Sequence, residues 1–212
     1  MTTQTRMLVA AETRSDRHAW LILVTIVAQL GGLALVAGLS ATAWLLAALA
    51  IVAACGLAHN GWKQRTRFRG IDKVIVPLAF GGLGLVIGQY WVARFVSASD
   101  AGGDAATAPA AMQRLLVMAT VLALCVPACA LMCSHEACTS RRRAIAELVL
   151  LHLLMMAGMF VASRLAAQEL GLVPSPIWTY ATAMFGMGIG AFVATLVFHR
   201  RVVGNAHPHG RA

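Results

Sequence analysis

The sequence predicts an all-α protein: a polytopic membrane helix bundle of six transmembrane helices, with N-terminus and C-terminus both in the cytoplasm (N-in/C-in). Three observations predict it. Of 212 residues, 59% are hydrophobic and only 12% charged, whereas a soluble domain runs near 45–50% apolar and about 25% charged. That balance excludes an ordinary water-soluble globule, and disorder with it. The apolar residues fall into six sustained runs, and about 20 helical residues cross the ~30 Å hydrocarbon layer. The basic residues, finally, collect in alternate connections.

The runs cover 20–39, 41–59, 74–95, 112–133, 144–167 and 177–198. Helices are implied rather than strands, because backbone groups in lipid must be satisfied internally and no ten-residue alternation of barrel type is present. The first run follows a basic start and ends at the small residues Ser40, Ala41, Thr42 and Ala43. That resembles a signal-peptide cleavage site. The run is longer than the 7–15 residues of an ordinary signal core, however, so a retained span is expected. Little beyond Ser40 separates spans one and two, which predicts a tight hairpin. The segment from Ser97 to Ala111, with Asp100, Gly102, Gly103, Asp104 and Pro109, reads as a flexible acidic loop. Gly171, Pro174 and Pro176 mark a short stop before span six.

Charge sets the orientation. Arg6, Arg14 and Arg17 precede span one. Lys63, Arg65, Arg67, Arg69 and Lys73 follow span two. Arg141, Arg142 and Arg143 follow span four, and Arg200, Arg201 and Arg211 close the chain, in all 14 of the 17 basic residues. Arg94, Arg114 and Arg164 lie near span ends, where long side chains snorkel. Lys/Arg-rich loops stay in the cytoplasm, and six spans put every basic block there. The domain plan is a cytoplasmic segment 1–19, a six-span domain 20–199 and a cytoplasmic tail 200–212. The bacterial inner membrane is the expected location. Trp20, Tyr90, Trp91, Trp178 and Tyr180 fall near the proposed interfaces as an aromatic belt. The net charge of +9 is then a matter of topology; nucleic-acid binding is not expected, since stacking groups and a recognition motif are missing. The expected partners are the lipid bilayer and a membrane-protein partner or second copy.

Span three carries Gly84 and Gly88, and span six Gly186 and Gly190, both at G-x-x-x-G spacing. Such spacing lets two helix backbones approach closely. An inverted 3 + 3 repeat would share it, but close packing is the simpler expectation.

Three residue types carry the candidate chemistry. Cys125, Cys129 and Cys133 recur every four residues in span four, which lines them up on one face. Cys138 follows in the loop, and Cys55 lies one turn from His59 in span two. His135 follows span four, His152 lies about 12 Å into span five by helical rise, and His199 ends span six. An ionisable group at the depth of His152 is costly and generally has a partner. His152, Met155, Met156 and Met159 share one helix face, as do Met184 and Met187 with Ala191, Thr195 and His199. Thiolate, imidazole and thioether together suit a soft metal ion such as copper. The candidate metal residues are therefore Cys55, His59, Cys125, Cys129, Cys133, His135, Cys138, His152, Met155, Met156 and His199. Buried cysteine and methionine also serve simply as packing. Pro127, between Cys125 and Cys129, is expected to bend its helix. Glu147, in the first turn of span five, suits the helix dipole and a pair with Arg143.

No P-loop, G-x-S-x-G or H-E-x-x-H is present, so no catalytic residue is assigned. The expectation is a transporter or handler of a small solute, with a soft metal cation foremost. The alternative is a non-catalytic membrane subunit or regulator, acting through helix packing and its basic loops.

Overall fold

The computed structural model describes residues 3–64, 70–101, 110–133, 141–168 and 175–204. Among them it is all-helical: α1 (Thr3–Val36), α2 (Ala41–Lys63), α3 (Asp72–Ala101), α4 (Ala110–Met132), α5 (Arg141–Gln168) and α6 (Pro176–Gly204). Each of the six contains an apolar stretch long enough to cross a membrane, from Asp16–Val36 in α1 to Pro176–Val197 in α6. The helices overrun those stretches. α1 is helical from Thr3, and α3 continues to Ala101 through part of the expected loop, where Ser97, Ala98 and Ser99 present no breaker before Gly102. The α1–α2 turn is closed by Gly38 at φ 60°, a left-handed conformation that costs glycine little. Ser40 then caps α2, its hydroxyl accepting from the Ala43 amide.

α3 is the hub. It packs against α1, α4 and α6, and it meets the end of α2 where Ile75 lies against Gly61. Glycine decides how closely. Added Cβ atoms on Gly84 and Gly88 would fall 2.6 Å from the Val121 Cα and 2.8 Å from the Val117 Cα of α4, so the two backbones are in direct contact. The Thr120 hydroxyl donates across this contact to the Gly84 carbonyl at 2.9 Å. Gly186 and Gly190 do the same for α6, seating it on the Gly158 and Leu154 backbone of α5. In a bilayer, where lipid is as apolar as leucine, such close van der Waals approach is the main source of helix association.

The contacts also fix relative direction. Gly84 meets Val121 while Gly88 meets Val117, and Gly158 meets Gly186 while Leu154 meets Gly190, so both pairs run antiparallel. α1 runs with α3, since Gln29 meets Gly82 and Gly32 meets Val86. α6 opposes α3, through Leu78 with Gly188 and Gly82 with Met184.

The buried interior includes Ile22, Val76, Leu85, Val121, Cys125, Cys129, Met155 and Met187. α2 is peripheral: between Ala43 and Gly61 none of its described side chains is fully buried. Trp20, Trp91, Trp178 and Tyr90 are exposed near the ends of the apolar stretches, but Tyr180 is buried. It lies on the inward stripe of α6 with Ala183, Met187, Ala191 and Ala194, and helical spacing carries it there rather than to the outer belt.

Candidate metal centre

α4 and the residue that closes it present Cys125, Cys129 and Cys133 inward because each lies one turn beyond the last, and the first two are completely buried. Pro127 falls on the other side and is exposed, as is Ala123, so the missing backbone donor opens away from the cysteines. α4 remains helical through that point. The Cys125 and Cys129 sulfurs lie 3.8 Å apart.

α5 approaches α4 over a short stretch only, and there it contributes His152, which is 7% exposed. Its Nδ1–H donates to the Leu148 carbonyl one turn back at 2.7 Å. A carbonyl can only accept, so Nδ1 carries the proton and Nε2 is left with a bare lone pair. Nε2 is buried and has no hydrogen-bond partner. Such an orphan costs about 1–3 kcal/mol. The ligand atoms of Cys125, Cys129 and His152 all lie within 4.8 Å of one another.

This arrangement fits a soft cation. With metal–sulfur bonds of about 2.3 Å, two sulfurs stand roughly 3.8 Å apart around a tetrahedral ion, roughly 4.0 Å around a trigonal one and roughly 4.6 Å around a linear one. The observed 3.8 Å matches the first two. The Leu148 carbonyl would supply the outer contact by which a metal-bound imidazole is oriented.

Below the trio lies a polar floor. The Cys133 thiol points to the Asp72 backbone carbonyl at 3.7 Å. Glu147, 5% exposed, pairs with Lys73 of α3, itself 14% exposed. The partner expected from the sequence, Arg143, has a side chain outside the described residues. Lys73 reaches the carboxylate from the start of α3, a proximity that sequence spacing does not reveal.

Among the described residues, Cys125, Cys129 and His152 are the one group of three His, Cys or acidic side chains close enough to share an ion. Cys133 lies one turn further on, just past the end of α4. Met155 is buried and Met156 half-buried on the His152 face. Cys55 and His59 are half-buried on α2, which packs on α1 and α3, and they do not join the trio. His135, Cys138 and the side chain of His199 lie outside the described residues. Sequence reasoning passed over Lys73, Asp72 and Gln29. The signal for Gln29 was available: it is a lone amide inside an apolar run, 4% exposed, with a buried and unpartnered Oε1. No protein-family model, curated protein or solved structure matches this chain.

Proposed function

We propose that the chain is an inner-membrane protein with both ends and every basic segment in the cytoplasm, and that it binds and passes on a soft metal cation at Cys125, Cys129 and His152. The observation that carries this reading is the unpartnered Nε2 of His152, held in its metal-binding tautomer beside two buried thiols. Thiolate and imidazole select Cu(I) and Zn(II) among biological cations. Cu(I) is preferred on two grounds. Three donors complete a trigonal Cu(I) site, whereas structural Zn(II) takes four. A monovalent ion also needs only one thiolate to make the buried centre neutral, and net charge in a low-dielectric interior is costly. The orientation rests on the charge asymmetry of the connections. The antiparallel pairing of α3 with α4 and α6, and of α5 with α6, supports the alternation of the spans, which either orientation shares.

Anaerobic titration of the purified protein with Cu(I), against a chromogenic chelator, tests the reading. One tight equivalent is expected, with an ultraviolet thiolate–copper band. C125S, C129S and H152F should each weaken binding at least 100-fold, and C55S should leave it unchanged. Wild-type affinity in C125S/C129S would overturn the metal reading. Reporter fusions at Asp104 and Arg142 should report opposite compartments; a shared compartment would overturn the orientation.

A further inference from the structure

The Gly81–Gly82 step of α3 is a second point of convergence for soft donors, away from the cysteines. A Cβ built on Gly82 would collide with the Gln29 Oε1 of α1 and lie 2.9 Å from the Met184 Sδ of α6. The amide oxygen and the sulfur are therefore no farther apart than those two short reaches combined. A Cβ on the adjacent Gly81 would lie 2.6 Å from the Met187 Sδ. Two helices, α1 and α6, thus turn polarisable or oxygen donors onto one side-chain-free step of the hub helix.

Gln29 supplies the independent sign that this is more than packing. It is 4% exposed, and its Oε1 is buried with no hydrogen-bond partner. Thr25, one turn earlier on the same helix, satisfies its hydroxyl locally by donating to the Leu21 carbonyl at 2.7 Å. Gln29 instead directs its oxygen at Gly82, where a Cα–H is at best a weak partner. Met187 is fully buried and Met184 is partly so.

Position ties this cluster to the trio. Val121 Cγ1 lies 3.7 Å from the same Cβ point on Gly81. Cys125 is one turn beyond Val121 on the same face of α4, about 6 Å away by helical rise. Gly82 stands about 15 Å along α3 from Asp72, near the middle of a ~30 Å hydrocarbon layer.

We infer that Met184, Met187 and the Gln29 carbonyl form a second site for a soft monovalent cation, one turn deeper in the membrane than the Cys125–Cys129–His152 centre. Thioethers and an amide oxygen bind Cu(I) or Ag(I) without losing a proton, so this site holds the cation more weakly and independently of pH. Its role as a relay to the trio rests on the function proposed above; its existence as a binding site does not.

Ag(I) is the probe, with methyl-¹³C methionine NMR as the readout beside the thiolate band. Wild-type protein should bind two equivalents, and C125S/C129S one. In C125S/C129S at pH 5, Ag(I) should still shift the Met184 and Met187 methyl resonances. M184L/M187L, which conserves volume and so keeps the fold, should lose the second equivalent but keep the thiolate band. Q29L should weaken the second equivalent about tenfold. Absence of methyl shifts in both wild type and C125S/C129S would overturn the inference while leaving a wild-type thiolate band to uphold the trio. Methyl shifts without any thiolate band would uphold this site and sink the trio. Persistence of both equivalents in M184L/M187L would also overturn it.

Discussion

Replacing Lys73 by Met takes an ammonium away from a carboxylate that is 5% exposed. Water reaches Lys73 slightly, at 14% exposure, and cannot solvate Glu147 well from that side. Removing one member of a buried ion pair costs about 3–5 kcal/mol. The residual exposure of Lys73 places K73M at the lower end, near 3 kcal/mol, or somewhat over a hundredfold in the unfolding equilibrium. E147L should cost a similar amount. The double variant K73M/E147L removes both charges and their desolvation together, and such exchanges are often neutral or stabilising by about 1–4 kcal/mol. Reversible unfolding in mixed bicelles, followed by far-UV circular dichroism, gives the four stabilities needed for a double-mutant cycle. The expected coupling is at least about 2 kcal/mol. Single losses that simply add in the double variant would refute the reasoning, since they would mean that the two groups are independently solvated.

Two further outcomes follow from packing and from the metal centre. Gly190→Val drives a side chain into the Leu154 carbonyl and should cost about 1–3 kcal/mol. Gly56→Ala, with nothing within 4 Å, should gain up to about 1 kcal/mol from helix propensity; equal thermal shifts for the two would contradict the close α5–α6 contact. If the buried centre is neutral when loaded, Cu(I) binding releases one proton, so log affinity should rise by about one per pH unit below the thiol titration. Competition titrations across pH measure the slope, and a slope near two would mean that a net negative charge is buried.

The spans were legible in the sequence because burial in lipid needs only length and apolarity, and the reading for span four, 112–133, shares its start with the apolar stretch Met112–Met132 and ends one residue later. The cysteine face of α4 was legible for the same reason that any i, i+4 stripe is. What could not be read was which helices touch. His152 meets Cys125 and Cys129 only because α5 leans on α4 over a short stretch. Cys55 and His59 have an equally suggestive spacing, yet they sit on peripheral α2. Nothing in the apolar surface of α2 distinguishes a central from an outer position. Glu147 teaches the same lesson: a partner four residues away is visible in the sequence, whereas Lys73, at the start of a different helix, is not. Tyr180 was assigned by depth alone, and its rotation about the helix axis decided otherwise.

The hub arrangement sets an order on biosynthesis. α4 can lie down on α3 as soon as both have left the ribosome, because their glycine contact needs nothing downstream. α5 holds mainly to α6 and touches α4 only briefly. A nascent chain halted before α6 would therefore expose paired thiols with no imidazole pinned beside them. On the metal reading proposed above, a cation arriving early would meet an unfinished cage, and the docking of α5 on α6 would complete it.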